Sequence, residues 1–404
     1  MLTSFALVFL VGLLLGALAQ KLRLPALVGM LLTGVLLGPS VLNLLDDSIL
    51  AISADLRQLA LIIILTRAGL SLDLGDLRRA GRPAVLLCFV PACFEITGMV
   101  LLAPRLLGVS TLEAAIMGVV VAAVSPAVIV PRMLRLIEVG YGTKKSIPQM
   151  ILAGASVDDV FVIVLFTAFT GLAQGQSAGV SSLMGIPVSI ALGAAAGLLL
   201  GTALAWGWKR LHMRDSGKVL VLLSFSFLLV ALENACKGAV PFSGLIAVMG
   251  MGAALYRARP MVAGRLSNKY ARLWVAAEVV LFVLVGAAID LRYAAKAGPV
   301  ALLLLVLVLL FRAAGVLVCV AGTRLQAKER LFCVLAYMPK ATVQAAIGGV
   351  PLALGLGCGD IVLTVAVLAI LFTAPLGALA VDVTWKFLLD GPADSSCNLE
   401  QQRI

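Results

Sequence analysis

The chain has 404 residues, of which 62% are hydrophobic and only 13% charged, and its formal net charge is +11. Soluble globular chains are about half apolar and a quarter charged, so this composition excludes a soluble domain and points to an all-α polytopic membrane protein. The basic balance does not call for a nucleic-acid partner, because Lys and Arg gather in alternate loops, as they do on the cytoplasmic side of membrane proteins.

Apolar runs near the spanning length of about 20 residues recur along the whole chain. Thirteen spans are expected, at about 3–19, 25–43, 57–73, 84–103, 111–136, 149–173, 185–208, 219–236, 241–256, 273–289, 299–321, 328–350 and 361–388. Span 1 contains "GALAQ" (16–20), an A-x-A pattern like a signal-peptide cleavage site. No basic residue precedes it, and Lys21 and Arg23 follow, which orients a retained first helix with its N-terminus outside. Span 3 carries Arg67, expected to be a snorkelling helix-end anchor near Asp73. Glu95 sits in the middle of span 4, where it is expected either to form a salt bridge with Arg312 of span 11 or Lys340 of span 12 or to titrate as an accessory group.

Span 5 is interrupted by "VSPAVIVP", with Ser125 and Pro126 at its midpoint. Span 6 reads "GASVDDVFVIVLF" (154–166) and buries two adjacent acids, Asp158 and Asp159, among small and aliphatic residues. Span 7 has no such feature, and the single histidine, His212, follows it in a basic loop. Span 11 has Arg312 near its centre, and span 12 is broken by "YMPKATVQ", with Pro339 and Lys340. The odd-numbered loops and the tail from Asp390 hold most of the cations, so the C-terminus is expected in the cytoplasm. The absence of a targeting segment and the bacterial size of the chain point to the cytoplasmic (inner) membrane. Seven cysteines (88, 93, 236, 319, 333, 358 and 397) form no CxxC pair, so no His/Cys metal centre and no cofactor are implied.

An internal repeat runs through these spans. "PALVGMLLTGVLLG" from Pro25 resembles "PFSGLIAVMGMGAAL" from Pro241, and Pro83 matches Pro299 at the same offset. The proline-broken segments of spans 5 and 12 stand at nearly that offset too. Copies seven spans apart cross the membrane in opposite directions, which is the inverted repeat of many secondary transporters. The halves are expected at 1–174 and 219–389, with residues 175–218 as a linker span and 390–404 as a short tail.

Five spans thus bring their unusual residues, Glu95, Ser125–Pro126, Asp158–Asp159, Arg312 and Pro339–Lys340, to one depth. Ionisable groups in hydrocarbon are costly and mark ion pathways. Successive helical residues point about 100° apart, so one aspartate can pair with Arg312 while its neighbour faces a cavity. A proton and an alkali ion can then compete for that carboxylate. Pro126 and Pro339 each free backbone carbonyls, and these, with Ser125, are candidate ion ligands.

"AVSPAVIVPRMLRL", "GYGTKKSIPQMILAGASVDDVFVIV" and "YMPKATVQAAIGG" strongly resemble the NHA-type sodium/proton antiporters of the monovalent cation/proton antiporter group, which includes NhaA and NapA. The resemblance implies a thirteen-span NapA-like fold with two crossing discontinuous helices. It also implies a dimerisation domain (spans 1–3 and 8–10), a core domain (spans 4–6 and 11–13), a homodimer and elevator-like exchange of Na+ or Li+ for H+. Carried over, Asp159 resembles the ion-binding aspartate and Asp158 the one that pairs with a base. Ser125 lies on the first crossing helix, Lys340 on the second, and Glu95 matches a span-4 glutamate. Arg312 stands where NapA-like exchangers have lysine, which makes it a permanent counter-charge rather than a proton carrier.

Other functions fit the residues less well. An intramembrane aspartyl protease needs its two acids facing each other from separate helices. A channel gives no reason for proton coupling. A K+/H+ exchanger or an organic-anion symporter can share the fold, but the anion symporter would favour a positively lined site.

Overall fold

The computed structural model describes residues 1–72, 74–174, 180–211, 213–236 and 242–391. Asp73, His212, Pro241 and the tail from 392, with Cys397, lie outside them. The fold is all-helical, and runs α1 (Leu2–Lys21), α2 (Ala26–Leu37), α3 (Asp47–Ala51), α4 (Ser53–Leu70), α5 (Leu74–Leu87) and α6 (Val90–Leu107). Next come α7 (Thr111–Ala122), α8 (Pro126–Glu138), a 3-10 turn at Thr143–Lys145, α9 (Ile147–Ala173), α10 (Val180–Arg210) and α11 (Asp215–Ala235). The chain continues through α12 (Gly244–Ala258), α13 (Pro260–Ala287), α14 (Leu291–Val320), α15 (Ala327–Ala336), α16 (Thr342–Gly348), α17 (Val350–Ala353) and α18 (Gly359–Leu388).

Among the described residues nine stretches are long and apolar enough to cross a membrane, and three shorter apolar helices accompany them: Ala26–Leu37, Gly244–Ala258 and Thr342–Ala353. Helix α4 is 18 residues long but carries Asp55, Arg57 and Arg67. Several ends differ from the hydropathy reading for one reason: apolar content marks the edge of the membrane, whereas backbone hydrogen bonding carries a helix past it. Thus α13 begins at Pro260, well before the expected start at 273, because Asn268–Arg272 continue the helix outside the apolar run. The segment ahead of Glu95 is bent at Gly81, whose φ of 78° is left-handed backbone that glycine adopts without steric cost.

Two groups of helices pack mainly within themselves. Helix α13 lies against α1, α2, α4 and α12, and α12 also packs on α10 and α11. In the other group α6 packs on α7 and α14, α9 on α5, α7 and α8, and α18 on α7, α14, α15 and α16. Thinner contacts of α4 and α13 with α16, and of α10 and α12 with α9, join the groups.

Candidate functional site

Both helix interruptions follow from local chemistry. Residues before proline are driven out of the α region, and proline is tolerated in the first turn of a helix. Accordingly α7 stops at Ala122, Ala123 and Ser125 are extended, and α8 restarts with Pro126 in its first turn. In the second segment α15 stops at Ala336 and α16 begins at Thr342, with Pro339 between them. The two breaks touch directly, for Ser125 N–H donates to the Pro339 carbonyl at 2.9 Å. Gly377 of α18 lets this junction seat closely: a Cβ there would stand 2.3 Å from Pro339 Cγ.

Helix breaks leave carbonyls without partners, and the C-terminal ends carry partial negative charge. Side chains supply what is missing. Gln344 Nε2 donates to the Val121 and Ala123 carbonyls (3.1 and 2.8 Å), while its Oε1 accepts from Ala341 N–H at 2.8 Å. Arg312 of α14 donates to the Ala122 carbonyl at the end of α7 and to the Tyr337 carbonyl at the end of α15. One guanidinium therefore serves both C-terminal ends. The opposite pole is matched too, because Asp158 Oδ2 accepts from Val124 N–H at 2.7 Å, beside the start of α8. Lys340 N–H donates to Thr373 Oγ1 at 2.9 Å.

A buried charge cluster fills the space around the breaks. Glu95 Oε2 accepts from Arg312 Nη1 at 2.5 Å and from Lys340 Nζ at 2.7 Å. The Arg312 guanidinium pairs with Asp158 at 3.6 Å, so its closer carboxylate is Glu95. Glu95, Asp158, Ser125 and Lys340 are fully enclosed. Asp159, turned about 100° from Asp158, retains 8% exposure. Glu95 Oε1, Ser125 Oγ, Asp158 Oδ1 and Asp159 Oδ1 are buried without a hydrogen-bond partner. With every group ionised, the cluster holds three carboxylates, Glu95, Asp158 and Asp159, against two cations, Arg312 and Lys340.

All eight residues singled out in the sequence thus belong to α6, α9, α14 or the two breaks. Gln344 and Thr373 were not singled out, although Gln344 stands inside the quoted "YMPKATVQ" motif and is the only amide there. Glu278 was also missed: an acid within the apolar stretch of α13, whose charged neighbour is Arg67. Its signal was plain, a carboxylate in "WVAAEVVLFVLVG". Among the described residues no group of three or more His, Cys, Asp and Glu is placed to hold a metal ion.

The model for transmembrane sodium/hydrogen exchangers matches residues 5–386. The chain belongs to the sodium/hydrogen exchanger family. This exchanger is similar to the mouse sodium/hydrogen exchanger 9B2, 34% identical over 375 residues that cover 89% of this chain and 67% of the mouse protein. The human sodium/hydrogen exchanger 9B2 is 33% identical over 383 residues, 91% of this chain and 70% of its own length. Human sodium/hydrogen exchanger 9B1 is 31% identical over 364 residues, covering 85% and 68%. Among solved structures, that of the sodium proton antiporter MjNhaP1 from Methanocaldococcus jannaschii matches with a TM-score of 0.82 at 22% identity, covering 96% of the exchanger and 98% of that chain. The likeness establishes a shared fold.

Proposed function

We propose that this exchanger swaps Na+ or Li+ for H+ across its membrane, with the ion and the proton competing at Asp159 and Asp158. The unequal charge of the buried cluster supports this above all: three acids face two cations, and a net negative charge in a low-dielectric interior is stabilised by one more positive charge. A proton supplies it, and so does an alkali ion. The unpartnered oxygens of Ser125, Asp158 and Asp159 suit a hard cation, which takes oxygen ligands in place of water. Arg312 and Lys340 hold the breaks and Glu95; Arg312, permanently charged, does not carry the proton.

Transport then proceeds by alternating access. The α6–α9, α14–α18 group is the moving core with its crossing broken helices, and the group around α13 is the dimerisation domain of a homodimer set in lipid. Thirteen crossings follow when α2, α4, α12 and the interrupted α15–α17 segment are counted beside the nine long apolar stretches. The N-terminus lies outside and the C-terminus in the cytoplasm, as the loop cations demand. Exchange of K+ for H+ uses the same site and is the second reading.

Proteoliposomes carrying a pH-sensitive dye test the proposal. Adding Na+ or Li+ should dissipate an imposed pH gradient with the native chain and not with Asp159→Asn. Native-like exchange by Asp159→Asn overturns the role given to that carboxylate, and a response to K+ alone favours the second reading.

A further inference from the structure

Arg57 is a buried cation that takes no part in the ion cluster. It lies on α4, one turn after Ser53, and is 8% exposed. Its Nε donates to the Ser53 carbonyl at 3.2 Å, while its Nη1 and Ser53 Oγ are buried without hydrogen-bond partners. The other buried cations among the described residues, Lys218, Arg312 and Lys340, are each paired with a carboxylate. Arg57 is instead laid against backbone. A Cβ built on Gly349 would stand 1.8 Å from Arg57 Nη1 and 2.9 Å from its Cζ, so the guanidinium occupies the space a side chain at 349 would need.

Gly349 is the C-cap of α16 and the N-cap of α17. The end of α16 presents carbonyls and partial negative charge, which a cation complements. Helix α4 packs mainly with α12 and α13, and α16 mainly with α18, while α4 and α16 also touch each other across the two groups. Arg57 therefore bridges the two helix groups. Its contact lies near the far end of the interrupted α15–α17 segment, whose first turn holds Glu329.

We propose that Arg57 is a positioning residue that latches α4 onto the α16–α17 joint, holding the two helix groups together at that end and releasing them once in each transport cycle. The latch rests on the alternating-access reading above, though not on which ion is carried. Guanidinium suits the task because it stays charged at every working pH and cannot be neutralised by the proton being exchanged. The contact at Gly349 carries no hydrogen bond, since the one Arg57 makes stays within α4, so it opens more readily than a carboxylate pair, whose rupture strands two charges. Gly349 is the matching half, the one residue type that leaves the guanidinium its seat.

The test uses the full chain in proteoliposomes, with Ser53→Cys as a reporter on the α4 face that bears Arg57. Labelling by a membrane-impermeant maleimide is followed on the residue-53 peptide by mass spectrometry, which separates it from the native cysteines. Arg57→Gln and, independently, Gly349→Ala should each raise the labelling rate roughly tenfold, the response to about 1.4 kcal/mol of lost contact. Arg57→Gln should change turnover while leaving the apparent affinity for Na+ as it was, and Arg57→Lys should recover part of the difference. Native labelling rates in both Arg57→Gln and Gly349→Ala overturn the latch, as does a change confined to ion affinity. Should Arg57→Gln fail to fold, Gly349→Ala decides, since it keeps the arginine and removes only its seat. Faster labelling in a chain that shows no sodium-driven proton flux supports the latch and removes the exchange reading, so the two fail separately.

Discussion

Two clusters of acids and bases among the described residues are built to different balances. At the end where α9 and α15 begin and α18 finishes, Lys145 Nζ donates to both oxygens of Glu329 at 2.8 Å and to Asp390 at 3.2 Å, and Lys328 pairs with Asp390 at 3.3 Å. Two cations meet two carboxylates there, and Glu329 is further satisfied by the Gln326 N–H at 2.7 Å. The interior cluster has two cations for three acids and leaves several oxygens unpartnered. Lys145 and Asp390 keep 27% and 31% side-chain exposure, while the Glu95 and Arg312 side chains keep 0% and 1%. A balanced, half-wet network is a clamp. An unbalanced, enclosed one is stabilised by one more cation or proton, which is the property the proposed exchange relies on.

Changing the balance of the interior cluster should have the largest effect. Asp159→Asn equalises its charge, so transport should fall to background in the dye assay while the melting temperature holds or rises. A variant that loses fold and transport together would erase the distinction between the two clusters. Glu95→Ala also removes one acid, but the one that pairs directly with Arg312 and Lys340, so both cations lose their nearest carboxylate. Breaking a buried pair by removing one partner costs about 3–5 kcal/mol, to be seen as a large loss in detergent thermal stability.

Arg312→Lys sharpens the comparison further. Lysine keeps the charge but cannot reach Glu95 and both helix ends as a fork. It can also release a proton, so flux should become dependent on a clamped membrane potential, and unchanged voltage dependence would count against a fixed counter-charge. At the clamp, Glu329→Ala should lower thermal stability by about 1–3 kcal/mol, the scale of a lost buried hydrogen-bonded partner, with sodium affinity unchanged.

The smallest effect concerns pH. Hydrogen bonds from Lys145 and Lys328 hold the Asp390 carboxyl below its ordinary range. Its contribution is therefore present above the unfolded value, near 3.8, and is lost as pH falls through the folded one. Hydrogen bonding to Glu329 pushes Lys145 upward, so its contribution is complete below the unfolded value of 10.5 and fades only as pH rises through the folded one. Both windows lie outside the neutral range. Asp390→Asn should flatten the acid side of a melting-temperature profile and leave the neutral part unchanged.

Much of the site was legible because membrane insertion makes polar residues conspicuous. Asp158, Asp159, Arg312, Lys340 and Glu95 stand out against apolar neighbours, and prolines 126 and 339 announce the breaks. The pairing was less legible. Arg312 pairs with Asp158, as expected, and more closely with Glu95, which was one of two roles open for that acid; that it also caps two helix ends was set by where α7 and α15 stop in space. Gln344 and Thr373 gave little signal, since a neutral polar side chain costs far less in hydrocarbon than a charge and so stands out less.

By itself the sequence determined that this chain is a helical membrane protein, where its helices break and which charges it buries, because hydrophobic transfer and proline sterics act locally along the chain. Only the tertiary structure decided which charge meets which, that one guanidinium serves both helix ends, and that Arg57 lies on Gly349. Those contacts join residues far apart in the chain, and their energies depend on distance and enclosure, which exist only once the helices have packed.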